Sequence, residues 1–317
     1  MSSPLIAVLL PCHNEGAAIR KVIDDFRRSL PDAEIYVYDN NSTDNTVAEA
    51  KVAGAIVRTE LVQGKGNVIR RMFADVEADI YLMTDGDDTY DAGVAPAMID
   101  RLNSEQLDMV VAERLENDNA DSFRKGHRFG NWLITSTISY LFGKRFSDSL
   151  SGYRVLTRRF VKSFPGITSG FDVETELSVH ALRLRLPVAE VQSHYRSRPH
   201  GSHSKLSTFG DGFRIMRTII YLLKETRPLF FFSLIGVVLV AISMVLAFPL
   251  LETYLDTGLV PRFPTAILST GIMIIAFLSF ACGLILDSVS QGRWEMKRSV
   301  YLSTPRDMKG KYHQDPG

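Results

Sequence analysis

Ile80-Tyr-Leu-Met-Thr-Asp-Gly-Asp-Asp88 sets an apolar run directly against a turn crowded with carboxylates. A short, fully apolar run bounded by Asp-Gly reads as a buried strand that ends in a polar loop. The same grammar recurs upstream. Leu5–Leu10 runs into Pro-Cys-His-Asn-Glu (11–15), and Glu34–Tyr38 runs into Asp-Asn-Asn-Ser-Thr-Asp (39–44). Ala55–Val57 and Met109–Ala112 read as two more strands. Between them, Ala17–Leu30 places Ile19, Val22, Ile23, Phe26 and Leu30 on one helical face, and Asn67–Val76 reads as a second helix. Strands alternating with helices predict a mainly parallel α/β sheet, whose ligands bind beyond the carboxyl ends of the strands. Three polar clusters are therefore expected to meet at one edge.

The chemistry of those clusters is specific. Asp85 and Asp87, two apart in a turn, can both face a hard divalent cation such as Mg²⁺ or Mn²⁺, which takes few protein oxygens and completes its shell with phosphate and water. A calcium loop is excluded, because Tyr90 stands where that loop needs Gly and Pro96 where it needs Glu. Asp39 can accept hydrogen bonds from a ribose or base. The Asn-Ser-Thr-Asp that follows reads equally as the cap of the next helix, through Ser42 or Thr43. Gly64-Lys65-Gly66 at a helix start suits an anion, although it lacks the spacing of a P-loop.

The chain has 317 residues, enough for one catalytic domain and an appendage, and its 36 basic residues balance 36 acidic ones, so net charge points to no nucleic acid partner. Cys12 and Cys282 are the only cysteines, which implies no disulfide framework and fits a reducing compartment. Leu5–Leu10 is too short for a signal peptide. Two uncharged apolar runs, Leu229–Leu251 and Thr265–Leu286, each exceed the roughly 20 residues that cross a bilayer. Arg214, Arg217, Lys224 and Arg227 precede them, Arg293, Lys297 and Arg298 follow, and Glu252, Asp256 and Arg262 lie between. The positive-inside rule then predicts a hairpin with both ends cytoplasmic. The expected organisation is a cytoplasmic catalytic domain (1–210), a juxtamembrane amphipathic helix (211–228), a transmembrane hairpin (229–287) and a cytoplasmic tail (288–317).

Pro11-Cys-His-Asn-Glu15, Asp39 with Asn-Ser-Thr-Asp (41–44), Gly64-Lys-Gly66 and Asp85-Gly-Asp87 together resemble the family 2 glycosyltransferases. The resemblance implies a GT-A fold and a hexosyltransferase that inverts configuration. It also implies a nucleotide-sugar site, for a UDP- or GDP-linked donor, lined by Pro11, Asn14, Glu15, Asp39, Lys65 and Asp85, with Asp85 and Asp87 on diphosphate and metal. Tyr38-Asp39-Asn40-Asn41 departs from the family's usual pattern at the base-binding cluster.

Arg124 and Arg128, Ser151-Gly-Tyr-Arg154 and the loop Arg198–Lys205 resemble the branch that loads sugar onto polyprenyl phosphate, the dolichyl-phosphate mannose synthase type. Arg124, Arg128, Ser151, Arg154, Arg198, Ser204 and Lys205 are the residues expected to hold the acceptor phosphate, since clustered guanidinium and ammonium groups beside a membrane suit a lipid head group. Phe171-Asp-Val-Glu-Thr-Glu176 lies where many relatives place a catalytic acid, which makes Asp172 and Glu174, with Asp87, the catalytic candidates. The alternatives are transfer to a sugar hydroxyl and a silent lipid- or nucleotide-binding relative. The expected protein is a multi-pass membrane enzyme, and a homo-oligomer is compatible with it. His194, His200 and His203 lack a fourth ligand for zinc. Gln291-Gly-Arg-Trp294 falls one residue short of the processive-synthase signature and reads as an interfacial Trp.

Overall fold

The computed structural model describes residues 4–115, 136, 147–148, 150–166, 173–196, 220–221 and 223–307. The chain divides into two compact units: residues 1–212 with 296–317, and residues 213–295.

The first unit is built on β1 (Ile6–Cys12), β2 (Glu34–Asp39), β3 (Ile56–Thr59), β4 (Ile80–Met83), β5 (Met109–Leu115), β6 (Arg154–Thr157) and β7 (Val188–His194). They form one sheet in the order β3-β2-β1-β4-β6-β5-β7. Pairing is parallel from β3 to β4 and between β5 and β7, while β6 runs antiparallel to both of its neighbours. Five of the strands fall where apolar runs predict them, and β1, β3 and β5 extend two or three residues further. The helices are α1 (Ile19–Ser29), α2 (Thr46–Val52), α3 (Lys65–Asp75), α4 (Ala95–Ser104), α5 (Arg158–Ser163) and α6 (Val173–Arg183). The expected face of α1 is the buried one: Ile19, Val22, Ile23 and Phe26 pack into a core with Val8, Leu10, Val37 and Leu82. Because β1 and β2 are in register from Ala7↔Glu34 to Cys12↔Asp39, their polar ends emerge side by side.

One buried titratable group sits in this unit away from the strand ends. His180 on α6 lies edge-on to Phe160 and Phe164, with Nε2 3.0 Å from Ser163 Oγ. Burial pulls its imidazole down to about 3, with a further push from the charge of Lys297. The unfolded chain, with an ordinary histidine near 6.5, therefore binds more protons below that pH, so stability falls as pH drops from 6.5 toward 3. Between pH 7 and pH 5 this single group should cost about 2 kcal/mol. Denaturant titrations at the two pH values should show that loss, and His180→Gln should flatten it.

The second unit contains α7 (Pro228–Thr257) and most of α8 (Phe263–Ser303), two helices long and apolar enough to cross a membrane. Their buried positions repeat every seventh residue: Gly236, Ser243 and Leu250 on α7; Ser269, Ala276, Gly283 and Ser290 on α8. A seven-residue repeat is the signature of left-handed supercoiling, and small residues let the backbones approach. Ser243 Oγ reaches across to donate to Ser269 O at 2.8 Å. A Cβ at Gly236 would sit 2.9 Å from the Phe280 ring. Gly236→Leu should therefore destabilise the helix pair by about 1–3 kcal/mol, the usual penalty of overpacking, read as lower thermal stability in detergent micelles.

Candidate active site

Four loops converge at the carboxyl ends of β1, β2, β3 and β4. The first two are laced together by side chains. Asn14, at φ 56°, accepts from Thr43 N–H at 2.7 Å through Oδ1, and its own N–H donates to Ser42 Oγ at 2.8 Å. Glu15 N–H donates to Thr46 Oγ1 at 2.8 Å and Gly16 N–H to Asp44 Oδ2 at 2.9 Å. Ser42 and Thr43 thus serve the β1 loop. The N-cap of α2 is Asn45, which makes no side-chain capping bond, and Asp44 Oδ1 accepts from Thr46 N–H at 3.0 Å in the turn before it. Asp39 is buried and holds its own turn through Ser42 N–H, 3.3 Å from each carboxylate oxygen. Asn40 joins the third loop: Nδ2 donates to the carbonyls of Glu60 and Val62, and Oδ1 accepts from Gly64 N–H at 2.7 Å. Gly64, at φ 132°, precedes α3 in a conformation that side chains rarely adopt.

Lys65 opens α3 and turns its ammonium inward. It pairs with Asp85 Oδ1 and, at 2.6 Å, with Glu174 Oε1 of α6. Burial pulls the lysine pKa down, but the two carboxylates outweigh that and hold it above the ordinary value. Beneath Glu174 lies Arg154, wholly buried. Burial brings its pKa down to about 10 against the opposing pull of Glu174, so it stays charged at neutral pH. Asp85, Lys65, Glu174 and Arg154 therefore alternate in sign. Asp87, 2% exposed, accepts from Thr89 N–H at 3.2 Å and Thr89 Oγ1 at 2.6 Å. Burial pushes the Cys12 thiol up, and the charges of Glu15, Asp39, Asp85 and Asp87 push it further, so all four carboxylates bear on one strand end. That excess of negative charge fits a hard divalent cation. Among the described residues no group of three His, Cys, Asp or Glu side chains could hold a metal. Two carboxylates with diphosphate oxygens and water make the appropriate Mg²⁺ or Mn²⁺ set.

The acceptor residues divide. Arg124, Arg128, Arg198, Ser204 and Lys205 lie outside the described residues, as does Asp172. Ser151 and Arg154, also expected at the acceptor phosphate, are completely buried. The Arg154 guanidinium donates to Ser151 O at 2.9 Å and to Ser178 Oγ at 3.0 Å, and contacts Met109 Sδ. Sequence reading missed a neighbouring cluster. Arg114, at the end of β5, forms a bidentate pair with Asp148 at 2.6 and 2.9 Å and lies over the Tyr195 ring. Tyr195 stacks edge-on against Tyr90, and Arg196 N–H donates to Thr89 O at 2.8 Å, tying the end of β7 to the Asp85–Thr89 turn. The one sequence signal was the position of Arg114 just past the strand read as Met109–Ala112, akin to that of Asp85.

Residues 7–163 match the family described as Glycosyl transferase family 2. Glycosyltransferase AglJ of Haloferax volcanii is 31% identical over 296 residues, 92% of this chain and 96% of that protein. The chain belongs to this family. It is a glycosyltransferase with the GT-A fold. A dolichyl-phosphate hexose transferase of the same organism is 27% identical over 222 residues, covering 70% of this chain and 95% of that one. In fold, the chain resembles glucosyl-3-phosphoglycerate synthase from Mycobacterium tuberculosis, crystallised with Mn²⁺, uridine diphosphate and glucosyl-3-phosphoglycerate. The TM-score is 0.57 at 24% identity, over 70% of this chain and 80% of that one.

Gly152 tests the ion-pair geometry. A Cβ there would stand 3.0 Å from Asp85 Oδ2 and 3.3 Å from Lys65 Nζ. Gly152→Ala should spread that pair and lower transferase kcat/KM at least about tenfold, while the overpacking itself costs only about 1–3 kcal/mol. Steady-state rates and thermal melts of the same preparation check both halves of this expectation.

Proposed function

We propose that this glycosyltransferase moves a sugar from a UDP- or GDP-linked donor to a polyprenyl phosphate at the cytoplasmic face of a membrane. One observation carries the reading: a carboxylate-lined sheet edge with a buried Lys65 bridge belongs to the same chain as two long apolar helices. A soluble acceptor gives no reason for the helices, whereas a lipid acceptor does. The similarity to a dolichyl-phosphate hexose transferase supports the same choice.

Asp85 and Asp87 would hold Mg²⁺ or Mn²⁺, which when bound neutralises the diphosphate leaving group. Pro11, Asn14, Glu15 and Asp39 line the donor side, where Asn14 and Asp39 keep the loops rigid through their own hydrogen bonds. Lys65 supplies positive charge beside Asp85 where the diphosphate would lie, preorganised before donor arrives. The acceptor phosphate is already anionic near neutral pH and needs no strong general base. In this reading Glu174 orients Lys65, and Asp172 is the candidate for a direct role at the reacting sugar. Arg124, Arg128, Arg198, Ser204 and Lys205 are assigned to the lipid phosphate. Charge bias around the helices puts the catalytic unit on the cytoplasmic side, with residues near Asp256 outside.

The test offers several radiolabelled nucleotide sugars to the purified enzyme with polyprenyl phosphate, and separately with sugar-hydroxyl acceptors. A labelled lipid phosphosugar is expected, abolished by EDTA and by Asp87→Ala. Transfer to hydroxyls with none to lipid phosphate would overturn the acceptor assignment, and full turnover in EDTA would overturn the metal.

A further inference from the structure

Asp108, the residue before β5, is completely buried at the end of the sheet opposite the strand termini just described. It is a knot. Its carboxylate accepts from Thr157 Oγ1 at 2.8 Å and from both Nε and Nη2 of Arg159. Its N–H donates to Pro187 O, and its carbonyl accepts from Thr157 N–H, so one residue joins the margins of β5, β6 and β7. The remaining bond to Asp108 Oδ2 comes from the far end of the chain. Tyr301 Oη donates to it at 2.7 Å, and the Arg159 guanidinium lies 4.8 Å above the Tyr301 ring. Five residues on, Arg306 donates to Leu102 O at 3.0 Å and to Gln106 Oε1 at 3.3 Å, at the end of α4. Lys297 lies near enough to His180 for its charge to be felt there.

We propose that residues 296–307 are a clasp: a docking segment of this chain whose seat is the Asp108–Arg159 knot, rather than a free tail behind the apolar helices. The seat is specific in chemistry. It offers a buried carboxylate to a phenol, a guanidinium to the face of the same ring, and the Leu102 carbonyl and Gln106 side-chain oxygen to a second guanidinium. A carboxylate as buried as Asp108 gains more from a full set of donors than an exposed one does. The clasp also constrains the chain path. Residues on both sides of the apolar helix pair belong to the same unit, so α7 and α8 start and finish on one side of any bilayer they enter, whatever the distribution of charge in their flanks.

The experiment uses the full-length enzyme in detergent, without donor or acceptor, so it is independent of the proposed reaction. Hydrogen–deuterium exchange is followed in peptides covering 296–307, 105–115 and, as a control, 6–12. Tyr301→Phe removes the hydroxyl and keeps the ring on Arg159; Tyr301→Ala removes both. The expected result is exchange at least about tenfold faster in 296–307 and 105–115 for Tyr301→Ala, a smaller rise for Tyr301→Phe, and no change in 6–12. Unchanged exchange in both variants would make the segment a free tail. A rise spread evenly over all three peptides in Tyr301→Phe would equally overturn a local clasp. In sealed vesicles carrying Cys282→Ser, single cysteines at Ser303 and at the exposed Glu34 should label from the same side. Labelling from opposite sides would overturn the shared-side path.

Discussion

The site depends on one buried ammonium. Lys65 is held between Asp85, from the turn after β4, and Glu174, from α6, and Arg154 lies under Glu174. Taking these charges out of water is expensive, and a buried ion pair rarely repays that cost in stability against a packed apolar core. Removing one partner is far worse, on the order of 3–5 kcal/mol, because a charge is stranded. The arrangement is therefore better understood as positioning than as glue. Alternating signs from the sheet edge to the core keep the cluster neutral, while leaving Asp85 and Lys65 fixed at the mouth. A diphosphate needs that combination: a carboxylate to share a cation, and a cation that does not wander.

Lys65 also does geometric work. It rises from α3 in the half of the sheet ordered β3-β2-β1-β4, whereas Glu174 belongs to the half built from β6, β5 and β7. The antiparallel β6 is the seam between these halves. At one end of the seam the Lys65 bridge spans it. At the other end, Asp108 gathers Thr157, Arg159 and the carbonyl of Pro187. Both closures are electrostatic, and both are desolvated, so each is stiff where a surface ion pair would be worth little. The seam is thereby pinned at the functional edge and at the opposite margin by charges of different origin.

Much of this was legible in the sequence. Parallel strands buried on both faces read as continuous apolar runs, so β1, β2 and β4 announce themselves, and the polar residues at their ends follow directly. Asp85, Asp87, Asn14, Glu15 and Asp39 stand together for that reason. What the sequence could not display is partnership across long separations. Lys65 suited an anion by its Gly-rich setting, yet nothing local says that Glu174 will meet it. Ser151-Gly-Tyr-Arg154 points to the acceptor phosphate by its resemblance to the polyprenyl-phosphate branch, which says nothing of burial. Its burial is a tertiary fact, set by α6 packing over β6. Nothing in the sequence marks Asp108 as a buried junction. Neither Ser42 nor Thr43 caps α2, because both hydroxyls pair with Asn14 of the neighbouring loop.

The apolar helices show the same division between composition and partnership. Their length and lack of charge are plain in the sequence, but in an apolar solvent hydrophobicity gives two helices no reason to pair. Close packing does. Gly236 admits the Phe280 ring, Gly283 admits Phe232 and the backbone of Leu229, and Ser243 hydrogen-bonds the backbone of Ser269. These contacts recur at seven-residue spacing on both helices, so the small residues form matching seams once the helices run antiparallel. Near the polar end the seam changes character: Ser290 Oγ donates to Glu225 O, and Arg293 pairs with Glu225 at 2.8 Å. Small-residue packing thus gives way to a hydrogen bond and an ion pair just where the apolar run of α8 stops and the helix continues toward Ser303. A single helix thus packs by shape in its apolar length and by charge and hydrogen bonding beyond it.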